Sequence, residues 1–343
     1  MTHISAVNEN TRCAVVCNPR AGGLRGRLSG TRLPLFSSRR SERESAAETA
    51  QRLVREFPQD IAACVTSDRA SAESFVSDAA NSRVPWLIVA GGDGTLFSVV
   101  NTLYRSVPTD RWPVLSVLPT GTTNFLASLL GQPKWRTSSG LFSRLPNVER
   151  LPRLSIRMLE VGGYLCILCG AGYISGLSRA YLDRSSRIVN PYAWGVLNAI
   201  GIGTGIWYPE WLRQAHPLDV DDGDGCALRL PRGLPPAGLL CSADDRVIEL
   251  WRPYFDDERS DGVHAIIAGK WLGSALRETV AAKLGRTASR TWAVARSRGR
   301  LQMKRRTWLL LDGEFVYAEP NAGLAPGPLV ELADLSSISL GAE

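Results

Sequence analysis

The chain has 343 residues, 44% of them apolar and 21% charged, and a formal charge of +7. That length allows two domains, and the composition excludes a disordered or fibrous chain. The positive excess attracts anionic partners without choosing between nucleic acid and a membrane surface, while the longest apolar run, Trp194 to Trp207, holds four glycines and is too short for a spanning helix.

In chain order, Cys13 to Cys17 reads as an apolar strand ending at Asn18-Pro19, and the Gly-, Ser- and Arg-rich stretch Gly22 to Arg40 as a loop. Ser41-Glu42-Arg43-Glu44 is a capping box, and Ala46, Ala47, Ala50, Leu53, Val54 and Phe57 follow at helical spacing. Next come a strand over Ile61 to Val65, a helix over Ala72 to Ala80 and a strand over Trp86 to Val89. A helix through Val99, Leu103 and Tyr104, a strand over Val114 to Leu118 and a helix start at Thr123 to Leu130 complete the series. Such βαβ repetition implies a Rossmann-like parallel sheet with ligands beyond the carboxyl ends of its strands.

After about Arg150 the pattern becomes all-β. Apolar or alternating segments at Leu154 to Val161, Leu165 to Cys169, Val247 to Leu250, His264 to Ile267 and Trp308 to Leu311 are separated by Gly-, Pro- and Asp-rich turns. Helical stretches interrupt them near Pro191 to Ile200 and Leu272 to Leu284. The expected fold is therefore α/β plus all-β: an N-terminal domain over 11–148, a β-sandwich-like domain over 149–333, and a C-terminal segment, 334–343, returning to the first domain. Cys166 and Cys169 have CxxC spacing but sit in what reads as one strand interior, so the cysteines are expected to be buried reduced thiols. Met1-Thr2-His3-Ile4-Ser5 lacks the pattern of a secretory signal.

Three glycine- or hydroxyl-rich turns fall at carboxyl ends of three predicted strands of one sheet. They are Asn18-Pro19-Arg20-Ala21-Gly22-Gly23, Gly91-Gly92-Asp93-Gly94-Thr95 and Leu118-Pro119-Thr120-Gly121-Thr122-Thr123-Asn124. One such turn is a tight βα connection; three on one edge point to a phosphate chain. Missing β-carbons let backbone amides approach an anion, and the helix after Gly94 directs its free amide end to the same place. Asp93 cannot bind phosphate directly; its useful role is to orient a magnesium ion or its waters. Neither GxxxxGK[ST] nor GxGxxG occurs at these turns.

These motifs resemble the diacylglycerol kinase catalytic-domain superfamily of lipid kinases: NP-x-(S/A)-G at Asn18 to Gly22, GGDGT with the helix asparagine Asn101, and P-x-GT-x-N-x-(F/L)A at Pro119 to Ala127. The resemblance runs on through Gly170-Ala171-Gly172-Tyr173 and Asp261-Gly262 to Leu311-Asp312-Gly313-Glu314. It implies ATP and Mg2+ in a cleft between a Rossmann-like domain and a β-rich domain. Carried over by position, Asn18, Pro19, Arg20, Gly22, Gly91, Gly92, Asp93, Gly94, Thr95, Gly121, Thr122 and Asn124 line the nucleotide, with Thr66 a further contact. Asp312 and Glu314 match the catalytic acids. Asp93 and Asp261 are the metal candidates, although Phe255 to Gly262 departs from the family's P-x-A-x-x-DG form. From the residues alone, Asp312-Gly313-Glu314 reads first as a hairpin turn with solvated acids, and only the resemblance turns that reading towards catalytic acids.

The family phosphorylates lipid alcohols. Tyr173-Ile174-Ser175-Gly176-Leu177 carries no acid where sphingosine kinases place one, so a neutral acceptor, diacylglycerol or ceramide, is expected. A sphingoid-base kinase, an NAD-kinase-like enzyme and a non-catalytic nucleotide- or lipid-binding protein stay open. The basic stretches Arg20 to Arg40 and Arg296 to Arg306 suit an anionic membrane surface as well as a merely solvated face. The expectation is a cytoplasmic protein, peripheral at the cytoplasmic face of the membrane, with no nucleic-acid partner and with a homodimer left open. Asp219 to Asp224 reads as a turn.

Overall fold

The computed structural model describes residues 3–19, 54–55, 59–119, 152–184, 216–230, 233, 235–244, 262–268 and 293–333. The expected helices at Ser41 to Phe57, Thr123 to Leu130, Pro191 to Ile200 and Leu272 to Leu284 lie outside these residues, apart from 54–55. So do the loop at Gly22 to Arg40 and the strand at Val247 to Leu250. Two compact units form: Met1–Ile156 with Leu329–Glu343, and Arg157–Pro328.

The first unit is built on β1 (His3–Ile4), β2 (Cys13–Cys17), β3 (Ile61–Val65), α1 (Arg69–Asn81), β4 (Trp86–Gly91), α2 (Asp93–Ser106) and β5 (Val114–Pro119). Every residue of β2, β3 and β4 is buried, the mark of parallel strands covered on both faces. The order across the sheet is β1-β3-β2-β4-β5; β3-β2-β4-β5 run parallel, with β1 antiparallel on the outer side of β3. Trp86 lies in the core and donates its indole N–H to Ser116 at 2.8 Å, so its one polar atom is satisfied. Helix α1 starts three residues before the expected Ala72 because the Asp68 carboxylate caps the Ser71 amide at 2.9 Å. The chain moves outward from β2 to β3 and back past β2 to β4, so the direction of winding reverses between β2 and β4. In an open α/β sheet this reversal opens a crevice at the strands' carboxyl ends.

The second unit comprises most of β6 (Arg153–Val161), then β7 (Tyr164–Cys166), β8 (Cys169–Gly172), α3 (Tyr173–Arg184), β9 (Val220–Asp221), β10 (Gly238–Ser242) and β11 (Val263–Ala268). It continues through β12 (Ala293–Arg298), β13 (Leu301–Met303), β14 (Thr307–Leu311) and β15 (Glu314–Ala318) into β16 (Ala322–Ala333), whose last residues belong to the first unit. Six strands form an antiparallel sheet in the order β12-β11-β10-β8-β14-β15. Strands β9, β13 and β16 pair antiparallel beside the β6–β7 hairpin. This is the α/β plus β fold that the alternation of patterns implied.

Four features depart from the sequence reading. Leu165 to Cys169 is two strands, β7 and β8, with a break at Ile167-Leu168. Helix α3 lies where no helix is expected; Gly176 and four serine or tyrosine positions weaken its local propensity, and it forms by packing on β8, β14 and β10. It begins sharply because Gly172 takes φ +68, and a Cβ there would stand 2.1 Å from the Ala237 carbonyl oxygen that accepts the Tyr173 amide. Strand β16 contains Pro326 and Pro328, which remove two donors and erase the sequence signal of a strand. Strand β1 is two residues long and carries no periodicity. The Asp219 to Asp224 segment does turn, with Asp222 Oδ1 accepting the Asp224 and Cys226 amides. Asp221, however, is buried in β9 and ion-paired to Lys304 Nζ at 2.6 Å.

Candidate active site

One candidate site sits at the reversal in unit one. The Asn18 amide donates to the Ala90 carbonyl at 3.1 Å and the Thr66 amide to the Cys17 carbonyl at 3.1 Å, so the ends of β2, β3 and β4 are held level. Strand β4 runs straight into Gly91, and Gly92 is the N-cap of α2 with no side-chain capping bond. At the amide end of α2 the Thr95 and Leu96 N–H groups donate to the Gly92 carbonyl at 3.0 and 3.2 Å, with Asp93, Gly94 and Thr95 half-buried around it.

Gly91 is required by close approach: an added Cβ would stand 2.4 Å from Thr95 Oγ1 and 2.5 Å from Thr95 Cβ. The Thr95 side chain therefore folds back over the strand end, where its hydroxyl accepts a long 3.5 Å contact from Asn18 Nδ2. Asn18, Gly91, Gly92, Asp93, Gly94 and Thr95 are brought together, with Pro19 exposed beside them. Thr66 is buried at the neighbouring strand end, and its hydroxyl accepts the Asp68 amide at 2.9 Å, entering the turn into α1.

The electrostatics suit an anion. Burial pushes the Cys17 thiol up to about 12, helped by Cys64, and pushes the Cys64 thiol up to about 11, helped by Asp68. Both remain neutral beneath the strand ends and do not repel a phosphate. Asp93 is the acid of the first turn of α2. Among the described residues no three His, Cys, Asp or Glu side chains lie close enough to hold a metal by themselves. A single carboxylate fits an ion that keeps most of its waters and takes further oxygens from a phosphate chain, as Mg2+ does. Arg20, Gly22, Gly121, Thr122, Asn124 and Asp261 lie outside the described residues.

Unit two carries a separate acidic turn. Asp312 (φ +50) and Gly313 (φ +99) form the two-residue turn of the β14–β15 hairpin, closed by the Leu311–Glu314 pair. Positive φ at both central residues is a type I′ turn, which Asp-Gly favours. The Asp312 carboxylate is not simply solvated. Oδ1 accepts the Leu168 amide at 2.8 Å, Oδ2 accepts the Ile167 amide at 2.9 Å, and the Asp312 amide donates to the Leu168 carbonyl at 3.0 Å. The break between β7 and β8 is therefore a receptor for this one carboxylate. Sequence reasoning missed Ile167 and Leu168 because backbone donors leave no side-chain signature; an apolar run read as one strand hid them.

Around Asp312, burial and then the Asp312 charge itself raise the Cys166 and Cys169 thiols well above their ordinary value. The thiols therefore stay protonated. Glu314, two residues on, is exposed and has no hydrogen-bond partner among the described residues.

Residues 12–145 match the family model of the diacylglycerol kinase catalytic domain. A "probable lipid kinase YegS-like" of Stenotrophomonas maltophilia strain K279a is 40% identical over 70 residues, covering 20% of this chain and 23% of the relative. A protein of the same description from Yersinia pestis strain Pestoides F is 39% identical over 64 residues, 19% of this chain and 21% of its own. The matched stretch thus spans under a quarter of the length of either relative.

Two crystal structures from Bacillus anthracis strain Sterne share the fold over 95% of this chain and 98% of their own. One, described as a candidate diacylglycerol kinase, gives a TM-score of 0.58 at 16% identity. The other, described as a diacylglycerol kinase, gives 0.52 at 15%. The segment that carries the glycine cradle, within residues 12–145, is thus similar to a diacylglycerol kinase catalytic domain, and the solved structures share the fold of the chain.

Proposed function

We propose that the chain is an ATP-dependent lipid kinase that transfers the γ-phosphate to the hydroxyl of a neutral lipid, diacylglycerol or ceramide, at a membrane surface. The observation that carries this reading is the cradle at the β2/β4 reversal, where Gly91-Gly92 and the amide end of α2 meet Asn18 inside the catalytic-domain match. In this reading the amides of the Gly92–Thr95 turn and the Thr95 hydroxyl bind phosphate oxygens. Asp93 holds the Mg2+ that accompanies ATP, and that ion neutralises charge on the phosphates. Arg20, Gly22, Gly121, Thr122 and Asn124 extend the nucleotide site, with Thr66 at its side.

Phosphoryl transfer of this kind depends on positioning and charge more than on a strong base. Asp312 supplies the carboxylate that accepts the acceptor's hydroxyl proton, its orientation fixed by the Ile167 and Leu168 amides. Glu314 stands next to it as the second acid. A neutral acceptor is supported at the start of α3, where Ser175 occupies the stretch lacking an acid and spends its hydroxyl on the Gly172 carbonyl at 2.8 Å. The second-domain metal at Asp261 and a homodimer remain parts of the proposal that rest on the family resemblance alone.

The test is transfer of labelled γ-phosphate from ATP to diacylglycerol, ceramide, sphingosine and phosphatidylglycerol in mixed micelles, with NAD as a soluble acceptor in a parallel tube. Label is expected in a neutral lipid, dependent on Mg2+ and lost in Asp93→Asn. Protein that binds ATP but labels no lipid overturns the reading, and label in NAD replaces it with a soluble-substrate kinase.

A further inference from the structure

The β14–β15 hairpin carries more than the Asp312 turn. Trp308 and Tyr317 face each other across the two strands, each 45% exposed, with ring centroids 4.9 Å apart and planes tilted by 55°. Leu310 and Phe315, the next pair on the same face, are half-buried. From α3, the exposed Arg179 lays its guanidinium 5.4 Å from the centre of the Trp308 ring. Arg305 and Arg306 stand at the strand's entry, 81% and 62% exposed, holding the half-buried Asp219 and the exposed Glu319 at 3.3 and 2.9 Å. Strand β15 is the edge of its sheet.

Two large rings left in water are costly unless something covers them. Both are amphipathic, and neither the Trp308 indole N–H nor the Tyr317 hydroxyl has a hydrogen-bond partner among the described residues. A lipid–water interface satisfies such groups in one step, taking the ring bodies into the acyl boundary and leaving the polar tips among headgroups. Arg179 meets no carboxylate among the described residues and sits where a lipid phosphate would lie. Surface pairs such as Arg305–Asp219 and Arg306–Glu319 are weak enough for a phosphate to compete. A second copy of this chain would instead have to place this cationic rim against itself.

We propose that Trp308 and Tyr317, with Arg179 beside them, form the surface that docks this unit on an anionic lipid–water interface. Four residue steps lead from Trp308 to Asp312, about 13 Å at the usual rise, so the same hairpin that holds the carboxylate carries the anchor. The inference rests on the lipid-kinase reading only for its purpose; the docking itself needs neither nucleotide nor turnover.

The experiment is sedimentation of the full chain with sucrose-loaded vesicles, without ATP, comparing phosphatidylcholine with a mixture containing one quarter phosphatidylglycerol. Trp308→Ala/Tyr317→Ala is expected to lower partition on the mixed vesicles on the order of tenfold. Arg179→Gln is expected to lower it about fivefold on the mixed vesicles and little on phosphatidylcholine. Because the double variant also loses a cross-strand pair, the milder Trp308→Phe is measured with brominated lipid. Wild-type tryptophan fluorescence should be quenched on binding, and most of that quench should vanish in Trp308→Phe while binding persists.

Unchanged vesicle partition in the double variant overturns the proposal, as does a brominated-lipid quench that survives Trp308→Phe. A fall in the sedimentation-equilibrium mass of the free double variant, with vesicle binding intact, assigns the surface to a second copy instead. If docking behaves as expected and no lipid is phosphorylated, the kinase reading fails and the docking surface stands.

Discussion

Asp312→Asn separates structural from chemical roles at the β7–β8 break. The native carboxylate accepts two amides, at 2.8 and 2.9 Å, each a charge-assisted bond contributing about 1.5–3 kcal/mol. Asparagine keeps one neutral acceptor worth about 1 kcal/mol and turns its NH2 towards the other amide, which is left without an acceptor. The type I′ turn accepts Asn as readily as Asp, so the backbone of the hairpin is not at issue. The net loss is about 2–4 kcal/mol, which at about 2–4 °C per kcal/mol lowers the melting temperature by roughly 5–15 °C.

Glu314→Gln is the control. An exposed side chain without a described partner should change stability by less than about 0.5 kcal/mol while still lowering phosphate transfer. Differential scanning calorimetry gives the melting temperatures, and hydrogen exchange at the Ile167 and Leu168 amides reports the clamp directly; both should exchange faster in Asp312→Asn. An Asp312→Asn protein with wild-type melting and unchanged exchange at those two amides would refute the assignment of energy to the clamp.

Three other outcomes are expected. Gly91→Ala must push Thr95 and the first turn of α2 away from a Cβ 2.4 Å from Thr95 Oγ1, costing about 1–3 kcal/mol and weakening nucleotide binding at least tenfold by calorimetry; Gly91→Ala/Thr95→Gly should recover most of the stability but not the binding. At pH 8 one fast thiol should titrate with an aromatic disulfide, the exposed Cys226, because burial holds Cys17 near 12 and Cys64 near 11 and encloses the other four; Cys226→Ser should abolish the fast phase. Burial alone would raise the Asp221 carboxyl, but the Lys304 ammonium and the Gly223 amide outweigh it and hold it below its ordinary value. The stability it supplies is therefore full above the unfolded-state value of about 3.9 and is lost as pH falls through the lower folded value, so urea midpoints should drop in that acid range and drop less steeply in Asp221→Asn.

What the sequence made legible follows from which interactions write themselves into side chains. Parallel strands buried on both faces must be continuously apolar, and β2, β3 and β4 match the runs read at Cys13, Ile61 and Trp86 almost residue for residue. The glycine turn was readable because close approach needs glycine, and Gly91 against Thr95 is that approach in the structure. The misses share the opposite cause. Helix α3 is made by packing that includes two strands distant in sequence, β14 and β10, β16 threads two prolines into a ladder, and the Ile167 and Leu168 donors belong to the backbone. Asp312-Gly313 was readable both as a hairpin turn and as an acid with a task; the structure shows the turn and adds a clamp that neither reading contained.

The clamp has a consequence for how this region can vary over time. Because Asp312 is held by main-chain N–H groups, the side chains at 167 and 168 are not what recognises it, and almost any residue there preserves the donors. Proline alone deletes one outright. Substitutions that alter the identity of these two positions should drift freely within the limits of packing, while the aspartate they hold cannot move. An inventory of invariant side chains would overlook half of this contact, although its geometry is as tightly constrained as the acid itself.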